Sequence, residues 1–330
     1  MSDFPMITLI TPVLNGARFI EKAVDSVLAQ NYPVLEYIVM DAGSTDGTLE
    51  ILKKYGNKIK LISGVKDKGA YDAYNKALKI AQGDIIGMLS ADDWLSAGIL
   101  SRVGQIFVEQ PDVDVVTVGT QLHFLSEKDG VITPGEIFHK RYYTLNLKAI
   151  CELPLPNSRF VKKVIYQQHG FFQEGENMKN YSLSADLELM LRLSSKNLKN
   201  SIDETVGYNF LVHSNSLTSG NNLKNKLMGL SQKTQILKEF LTSKTLSQKE
   251  TMVVENALQR NYVYIIVLSL FSDQSFLSKD CFKQAYSRYG VKFFLIFLRV
   301  LFIRSRREFS LCRRYFSLGW SRACLKSTSL

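Results

Sequence analysis

Two acidic turns in the first hundred residues each follow a short apolar run. Asp41 follows LEYIVM, and Asp92 and Asp93 follow GDIIGMLS after one alanine. Both runs are typical of buried parallel strands. Because ligands bind at the carboxyl edge of an open α/β sheet, these carboxylates are expected to face one crevice. The pattern favours a divalent cation and a phosphorylated ligand.

The four carboxylates of these turns are expected to have different roles. Asp92 and Asp93 repel each other unless a cation lies between them, although a helix beginning at WLSAGIL would also favour acids through its dipole. Asp46 is expected to cap the helix that follows it. For Asp41 a ligand contact is favoured, because the charge at the end of an apolar strand is otherwise unexplained.

Further polar residues near the turns are candidates for the same ligand: Thr11, Pro12, Asn15, Lys68, Asp72 and Asn75. The first strand ends in TPVLNG and lacks G-x-G-x-x-G, which argues against an NAD enzyme. Asn15 can contact a nucleotide or simply cap the next helix. Lys68 lies in a loop that can approach a phosphate. Asp72 is either a ligand contact or an ordinary acid at a helix start.

The elements that position these residues alternate between strand and helix over residues 6–119. Apolar runs predict strands near 7–11, 35–40, 59–63, 84–89 and 113–119, and helical patterns lie near 17–30, 47–55, 70–82 and 96–109. This rhythm predicts an α/β fold whose mostly parallel sheet has helices on both faces. After an irregular stretch, a helix is predicted at 184–196, an edge strand at 205–212 and helices over 222–271.

The basic charge of the chain belongs to its last fifty residues. Residues 281–330 hold 11 Lys and Arg against one acid, Glu308, so their net charge of +10 equals that of all 330 residues. The segment 291–309 is both apolar and basic, which favours an interfacial anchor on anionic lipid. A core helix or a dimer interface is the alternative. The density of Phe and Leu argues against nucleic acid binding.

Targeting and cysteine patterns add little. The start MSDFPMITLI lacks the features of a signal peptide, and no run reaches the roughly 18–20 apolar residues of a membrane span. The four cysteines have neither metal-ligand spacing nor a disulfide pattern, which favours a reducing compartment.

Several motifs together resemble family 2 glycosyltransferases with the GT-A fold: TPVLNGARFIEKAVDSVLAQ, DAGSTDGT, KGAYDAYNKALKIAQGD and LSADDW. The resemblance covers residues 6–100 and continues more loosely to 215. It implies a Rossmann-like sheet, a nucleoside-diphosphate-sugar donor, inversion at the anomeric carbon, and Mg²⁺ or Mn²⁺ on the pyrophosphate. By this resemblance Asp41 contacts the base, Asp92 the ribose or metal, and Asp93 the metal. Ser44 joins the donor-binding residues.

The resemblance also implies a general base. The family supplies it at the start of a helix in a Glu-Asp-x-x-Leu-x-x-Arg-like segment, and SADLELMLRL places Asp186 at the matching position. Ala185 departs from the pattern, and Asp186 can also be an ordinary helix-start acid. Glu188 and Arg192 are spaced for an i,i+4 salt bridge. His213, in HSNSLTSG, is a phosphate or acceptor contact or a loop histidine without a role.

The predicted protein is a glycosyltransferase that is peripheral on the cytoplasmic face of the cell membrane. Its acceptor is expected to be a saccharide or lipid-linked saccharide in polysaccharide biosynthesis. Residues 1–220 form the GT-A domain, with a nucleotide-sugar half (1–119) and an acceptor half (120–220), where Asn157 stands at a position often held by His. Residues 221–330 form a helical extension with a basic membrane-associating segment at about 290–325.

Two other functions remain open from the sequence. A sugar nucleotidyltransferase would normally carry a Gly-rich, basic loop after the first strand, and TPVLNGARF lacks it. A non-catalytic sugar-nucleotide-binding scaffold at the membrane is disfavoured by the four retained aspartates at 41, 92, 93 and 186.

Overall fold

A computed structural model describes residues 4–64, 67–173, 182–216, 222–269, 281–291 and 293. The chain divides into two compact units. The first consists of Met1–Ile150 with Pro154–Leu211, and the second of Cys151–Leu153 with Val212–Leu330. The predicted domain boundary after residue 220 stays a prediction. Most of the basic segment at 290–325 lies outside the described residues.

Nine strands among the described residues form one sheet. They are β1 (Ile7–Val13), β2 (Leu35–Asp41), β3 (Lys60–Ser63), β4 (Ile85–Met88), β5 (Trp94–Leu95), β6 (Val115–Leu125), β7 (Ile132–Ile137), β8 (Arg159–Lys162) and β9 (Asn200–Val212). Their order is β3-β2-β1-β4-β8-β6-β9-β5, and β7 pairs with β6.

The helices follow the predicted rhythm. They are α1 (Ile20–Leu28), α2 (Thr48–Lys53), α3 (Ala70–Ile80), α4 (Ile99–Glu109), α5 (Leu147–Glu152), α6 (Lys163–His169) and α7 (Ala185–Ser194), followed by α8 (Leu223–Ser243) and α9 (Gln248–Ser269). Residues 281–291 are also helical. In the part of the chain that the structure describes, no helix is long and apolar enough to cross a membrane.

The sheet is mixed, and most of its long strands share one direction. Strands β3, β2, β1 and β4 are parallel, whereas β8 is antiparallel to both β4 and β6, and β5 to β9. Contacts of Val115 with Lys199 and of His123 with Asn209 show that β6 and β9 also run parallel to each other. The mostly parallel α/β fold is therefore confirmed. The prediction of an edge strand at 205–212 was wrong, because β9 lies between β6 and β5.

The parallel register brings the acidic turns to one edge. Val13 at the end of β1 pairs with Asp41 at the end of β2, and Asp41 pairs with Ser63 at the end of β3. On the other side of β1, Ile10 pairs with Met88, the last residue of β4. All four carboxyl ends meet at this edge, as the sequence pattern predicts.

Apolar side chains at helical spacing fix the layers around the sheet. Helix α1 buries Ile20, Ala23, Val24 and Val27 on one face, in a core shared with Leu9 of β1. The packing across β1, β4 and β8 is close. A Cβ at position 87 would lie 2.5 Å from Leu9 Cδ2, so β4 tolerates only glycine there without a shift.

The second unit is built on the pairing of α8 with α9. Apolar side chains such as Leu237 and Leu258 are buried in it. Lys238 Nζ donates to Gln284 Oε1 at 2.8 Å, and Arg288 pairs with Glu255 at 2.5 Å, which joins the helix at 281–291 to both.

Candidate active site

The loops that follow β1 and β2 are tied together by hydrogen bonds. The Asn15 backbone N–H donates to Ser44 Oγ at 2.8 Å, and the Thr45 N–H donates to Asn15 Oδ1 at 2.9 Å. Asn15 has a φ of 54°, a left-handed conformation that asparagine tolerates. Asp46 accepts from the Ala17 N–H at 3.0 Å and the Thr48 N–H at 3.1 Å. This is the capping role expected for Asp46.

Asp41 ends β2 with a carboxylate that is 2 % exposed. It accepts from the backbone N–H groups of Gly43 at 3.1 Å and Ser44 at 3.2 Å, so it shapes its own loop. Thr11 lies below this edge, fully buried, with its hydroxyl 3.0 Å from the Tyr37 hydroxyl. Its side chain therefore serves the sheet interior, and only its backbone remains for the predicted ligand contact.

The adjacent carboxylates after β4 lie in different environments. Asp92 is half-buried, whereas Asp93 is 1 % exposed. Asp93 Oδ2 accepts from the Tyr208 hydroxyl at 2.5 Å, and Oδ1 accepts from the Leu211 N–H at 2.8 Å. Burial and the charge of Asp92 raise the pKa of Asp93 well above its usual range. Asp92 is thus the accessible member of the pair.

Tyr208 connects Asp93 to Asn157 on the neighbouring chain segment. Asn157 Nδ2 donates to Tyr208 Oη at 3.0 Å and to Ser90 Oγ at 2.9 Å. The Ser90 backbone N–H also approaches the tyrosine oxygen, at 3.3 Å. The result is a polar network directly behind Asp92.

Two tyrosines of α3 interact with Asp186 and with the carboxylates after β4. Tyr71 hydrogen-bonds with Asp186, and burial together with this negative charge raises the pKa of Tyr71. One turn later, burial and the charges of Asp93 and Asp92 raise the pKa of Tyr74. Residues three apart lie on one helix face. The proposed base and the acidic pair therefore flank the same face of α3.

The turn at 169–173, which leads toward α7, is held from two helices. From α3, Asn75 is 1 % exposed and exchanges two hydrogen bonds with the Phe172 backbone, at 2.9 and 3.0 Å. From α7, Arg192 donates to the carbonyl oxygens of residues 169–171 and pairs with Glu188 at 2.9 Å. These bonds give Asn75 a structural role, and its predicted ligand contact stays a prediction.

Asp72 and Lys68 belong to the start of α3. Asp72 pairs with Lys76 at 3.0 Å and accepts from the Lys68 N–H at 3.0 Å. The Lys68 side chain is exposed. Asp72 therefore ties this loop to α3, whereas its predicted ligand contact and the phosphate contact of Lys68 stay predictions.

His213 belongs to the second unit. It is buried, and its backbone N–H donates to Ser216 Oγ at 3.1 Å. Part of the HSNSLTSG loop, from residue 217 onward, lies outside the described residues. The predicted phosphate or acceptor contact of His213 stays a prediction.

The fit of a divalent cation rests on Asp92. Among the described residues, no group of three or more His, Cys, Asp or Glu side chains is arranged to hold a metal ion. Mg²⁺ and Mn²⁺ sites of the substrate-phosphate type need only one or two carboxylates. The half-buried Asp92, beside the buried Asp93 charge, fits such an ion.

Three contributors to the site were missed or left without a role by the sequence. Tyr208 donates to Asp93 although the two residues are 115 positions apart in the sequence, and no local motif predicts that bond. Tyr71 reads as a core residue of an amphipathic helix, yet it contacts Asp186. The third is Asn157, and the sequence did mark it, because Asn157 stands at a position that is often His in the family it resembles.

Comparisons with known proteins agree with this fold. A chain covering residues 1–349 of TarS from S. aureus, in complex with UDP-GlcNAc, superposes with a TM-score of 0.54 at 18% identity, over 86% of this chain and 91% of the other. The mannosyltransferase PcManGT from Pyrobaculum calidifontis, in complex with GDP-Man and Mn²⁺, gives a TM-score of 0.58 at 15% identity, over 96% and 84%. The fold is therefore that of the GT-A proteins.

The family follows from the sequence comparisons. Residues 8–157 match the family described as Glycosyl transferase family 2. The putative teichuronic acid biosynthesis glycosyltransferase TuaG of Bacillus subtilis is 41% identical over 92 residues, which is 27% of this chain and 36% of the relative. Residues 8–157 are thus similar to glycosyl transferase family 2, and the chain spans about a third of the length of that relative.

Proposed function

We propose that this protein is an inverting glycosyltransferase that transfers a sugar from a nucleoside-diphosphate-sugar to a hydroxyl group of a saccharide acceptor. The observation that carries the proposal is the arrangement around α3. Tyr71 contacts Asp186, and one turn away Tyr74 lies in the field of Asp92 and Asp93. A direct displacement needs a base close to a carboxylate that binds the diphosphate, and here both carboxylates lie beside one face of α3.

The reaction needs one proton acceptor. Asp186 removes the proton from the acceptor hydroxyl while that oxygen bonds to the anomeric carbon. The bond from this carbon to the diphosphate oxygen breaks with its electron pair, and attack from the opposite face inverts the configuration. The hydrogen bond with Tyr71 fixes the position of the Asp186 carboxylate.

Donor binding belongs to the carboxyl edge of the parallel strands. Asp41 contacts the base, with Asn15, Ser44, Pro12 and the Thr11 backbone beside it, and Lys68 approaches the phosphates. Asp92 would hold a divalent cation, which would supply positive charge to offset that of the leaving diphosphate. Asp93 supports Asp92 from the interior, since both of its oxygens accept hydrogen bonds from protein groups.

The acceptor is a saccharide of a surface polysaccharide, carried on a lipid. TuaG is named for teichuronic acid biosynthesis, which supports the polymer class. The segment 291–309, apolar and rich in arginine, supports a location on anionic lipid at the inner face of the cell membrane.

The test of the proposed function is a transfer assay on purified full-length protein. A panel of UDP-, GDP- and dTDP-sugars is screened with Mn²⁺ for binding and transfer. Asp186→Asn is expected to lower kcat by about 100-fold or more with nucleotide affinity retained. Asp92→Asn is expected to lose the metal-dependent part of nucleotide binding.

Glu188→Gln is the matched control, an acid-to-amide change two residues away on the same helix. It is expected to keep most of the activity, because Arg192 retains its bonds to the turn at 169–171. Full activity of Asp186→Asn with the true donor and acceptor would exclude Asp186 as the base.

A further inference from the structure

A side chain bonded to Ser90, two residues before Asp92, has a fixed orientation and a hydrogen-bonding atom to spare. Asn157 directs its amide nitrogen at Ser90 Oγ and Tyr208 Oη, at 2.9 and 3.0 Å. Two bonds use both hydrogens of the amide nitrogen. In the part of the chain that the structure describes, no group donates to its Oδ1, and the side chain is half-buried.

The chemistry of Tyr208 determines which way this amide points. Its only hydroxyl proton is donated to the Asp93 carboxylate at 2.5 Å. With Asp93 ionised, the tyrosine oxygen accepts from Asn157, so the neighbouring amide atom is the nitrogen. The amide oxygen is directed elsewhere as a fixed hydrogen-bond acceptor.

The backbone before Asn157 is constrained to hold this position. Leu155 has a φ of 45° and a ψ of 56°, a left-handed conformation unusual for leucine, and it stands between Pro154 and Pro156. Backbone of this kind clusters at ligand sites and persists where the surroundings enforce it. Here Arg159, two residues beyond Asn157, donates to the Pro154 carbonyl oxygen at 3.4 Å.

The strand order indicates which part of the donor lies near Asn157. Along the sheet the sequence is β2, β1, β4, β8, with neighbouring strands about 4.8 Å apart. Asp41 ends β2, Asp92 follows β4, and Asn157 precedes β8. A nucleotide-sugar whose base lies at Asp41 and whose diphosphate lies at Asp92 continues with its sugar toward β8.

We propose that the Asn157 carbonyl oxygen accepts a hydrogen bond from a hydroxyl or N-acyl N–H group of the transferred sugar, and so contributes to the choice of donor sugar. This inference rests on the proposed function. It assigns to Asn157 a contact with the donor in addition to its support of Asp93 through Tyr208.

The test compares a nucleotide-sugar with its parent nucleoside diphosphate. Both ligands are titrated with Mn²⁺ by calorimetry into wild type, Asn157→Ala and Asn157→Gln, using the nucleotide-sugar that wild type binds best. Both variants are expected to lose about fivefold in affinity for the nucleotide-sugar relative to the nucleoside diphosphate. Two variants are used so that a folding defect in one does not decide the result.

Asn146→Ala is the matched control, since it removes an exposed amide upstream of the same segment and is expected to leave the affinity ratio unchanged. Equal losses for both ligands would overturn the sugar contact and leave only the link to Asp93. An unchanged ratio with a raised KM for the acceptor would also overturn it. If wild type binds no nucleotide-sugar, the proposed function fails and this inference fails with it.

Discussion

Asp92 and Asp93 illustrate how two adjacent carboxylates acquire separate tasks. Asp93 is enclosed, with Tyr208 and the Leu211 N–H on its two oxygens, and Asp92 remains half-buried at the edge. A cation bound at Asp92 would favour the ionised form of Asp93, whose pKa is raised by burial and by the charge of Asp92. Of the two predicted metal ligands, Asp92 is the better placed, and the ligand role of Asp93 stays a prediction.

The burial of Asp93 is expected to make the stability of the metal-free protein depend on pH. The folded-state pKa of Asp93 is raised above the usual 3.8, so the folded state holds this proton more tightly than the unfolded chain does. The stabilising effect is complete below pH 3.8 and is lost as the pH rises through the folded-state pKa. We therefore expect the stability of wild type to fall over that window.

Urea unfolding across a pH series measures the effect, and Asp93→Asn is its control. The variant is expected to lack this part of the pH dependence, because its amide does not titrate. Mn²⁺ is expected to reduce the loss in wild type by offsetting the repulsion between Asp92 and Asp93. Parallel profiles for wild type and Asp93→Asn would show that Asp93 is not the titrating group.

At the scale of elements, Arg159 holds the segment that leads to β8. Its guanidinium is 1 % exposed and meets no carboxylate among the described residues. It donates instead to Thr117 Oγ1 at 2.8 Å and to four carbonyl oxygens, those of residues 142, 143, 144 and 154. One cation thus joins β6, β8 and the turns between them.

Replacing this cation with a hydrocarbon is expected to be costly. Arg159→Leu leaves buried carbonyl oxygens without donors and should lower the free energy of unfolding by about 3 kcal/mol. Arg159→Lys should recover little, because an ammonium cannot span the same fork of acceptors. Urea denaturation at neutral pH measures both variants.

Arg102→Leu is the control for loss of an arginine as such. Arg102 pairs with Asp203 and its side chain is 57% exposed, so the expected change is below about 1 kcal/mol. A loss at Arg159 no larger than at Arg102 would contradict the role given to the buried guanidinium.

Some elements of the fold could be predicted from the sequence and others could not. β1 to β4 and their helices were predictable because alternating apolar runs and turn residues are local signals. The position of the antiparallel strand β8 was not predictable, because its pairing with β4 joins residues far apart in the sequence. In the site, Asp41, Asp92 and Asp186 stood out by position, whereas Tyr208 acts through an interaction 115 residues distant in sequence.

At the scale of the whole molecule, charge is divided unevenly along the chain. The net charge of +10 lies in residues 281–330. We expect the full chain to co-sediment with vesicles that contain phosphatidylglycerol and much less with vesicles of phosphatidylcholine alone, with binding that weakens as salt is added.

The basic residues of the segment provide the variant for this test. Exchange of Arg304, Arg306 and Arg307 for Gln should reduce anionic vesicle binding by about tenfold or more, at roughly 1 kcal/mol per charge. Exchange of Lys53, Lys54 and Lys58 for Gln removes the same charge elsewhere and should change it little. Equal losses in the two variants would indicate attraction by overall charge.

The hydrogen bonds that join the loops after β1 and β2 have a consequence for how a nucleotide arrives. Asn15, Ser44, Thr45 and Asp46 hold these two loops as one body. A ligand that meets a surface already ordered loses little conformational entropy of the protein on association. Nucleotide capture at this edge should therefore be a single fast event without loop folding, and any slow step in turnover must arise elsewhere in the chain.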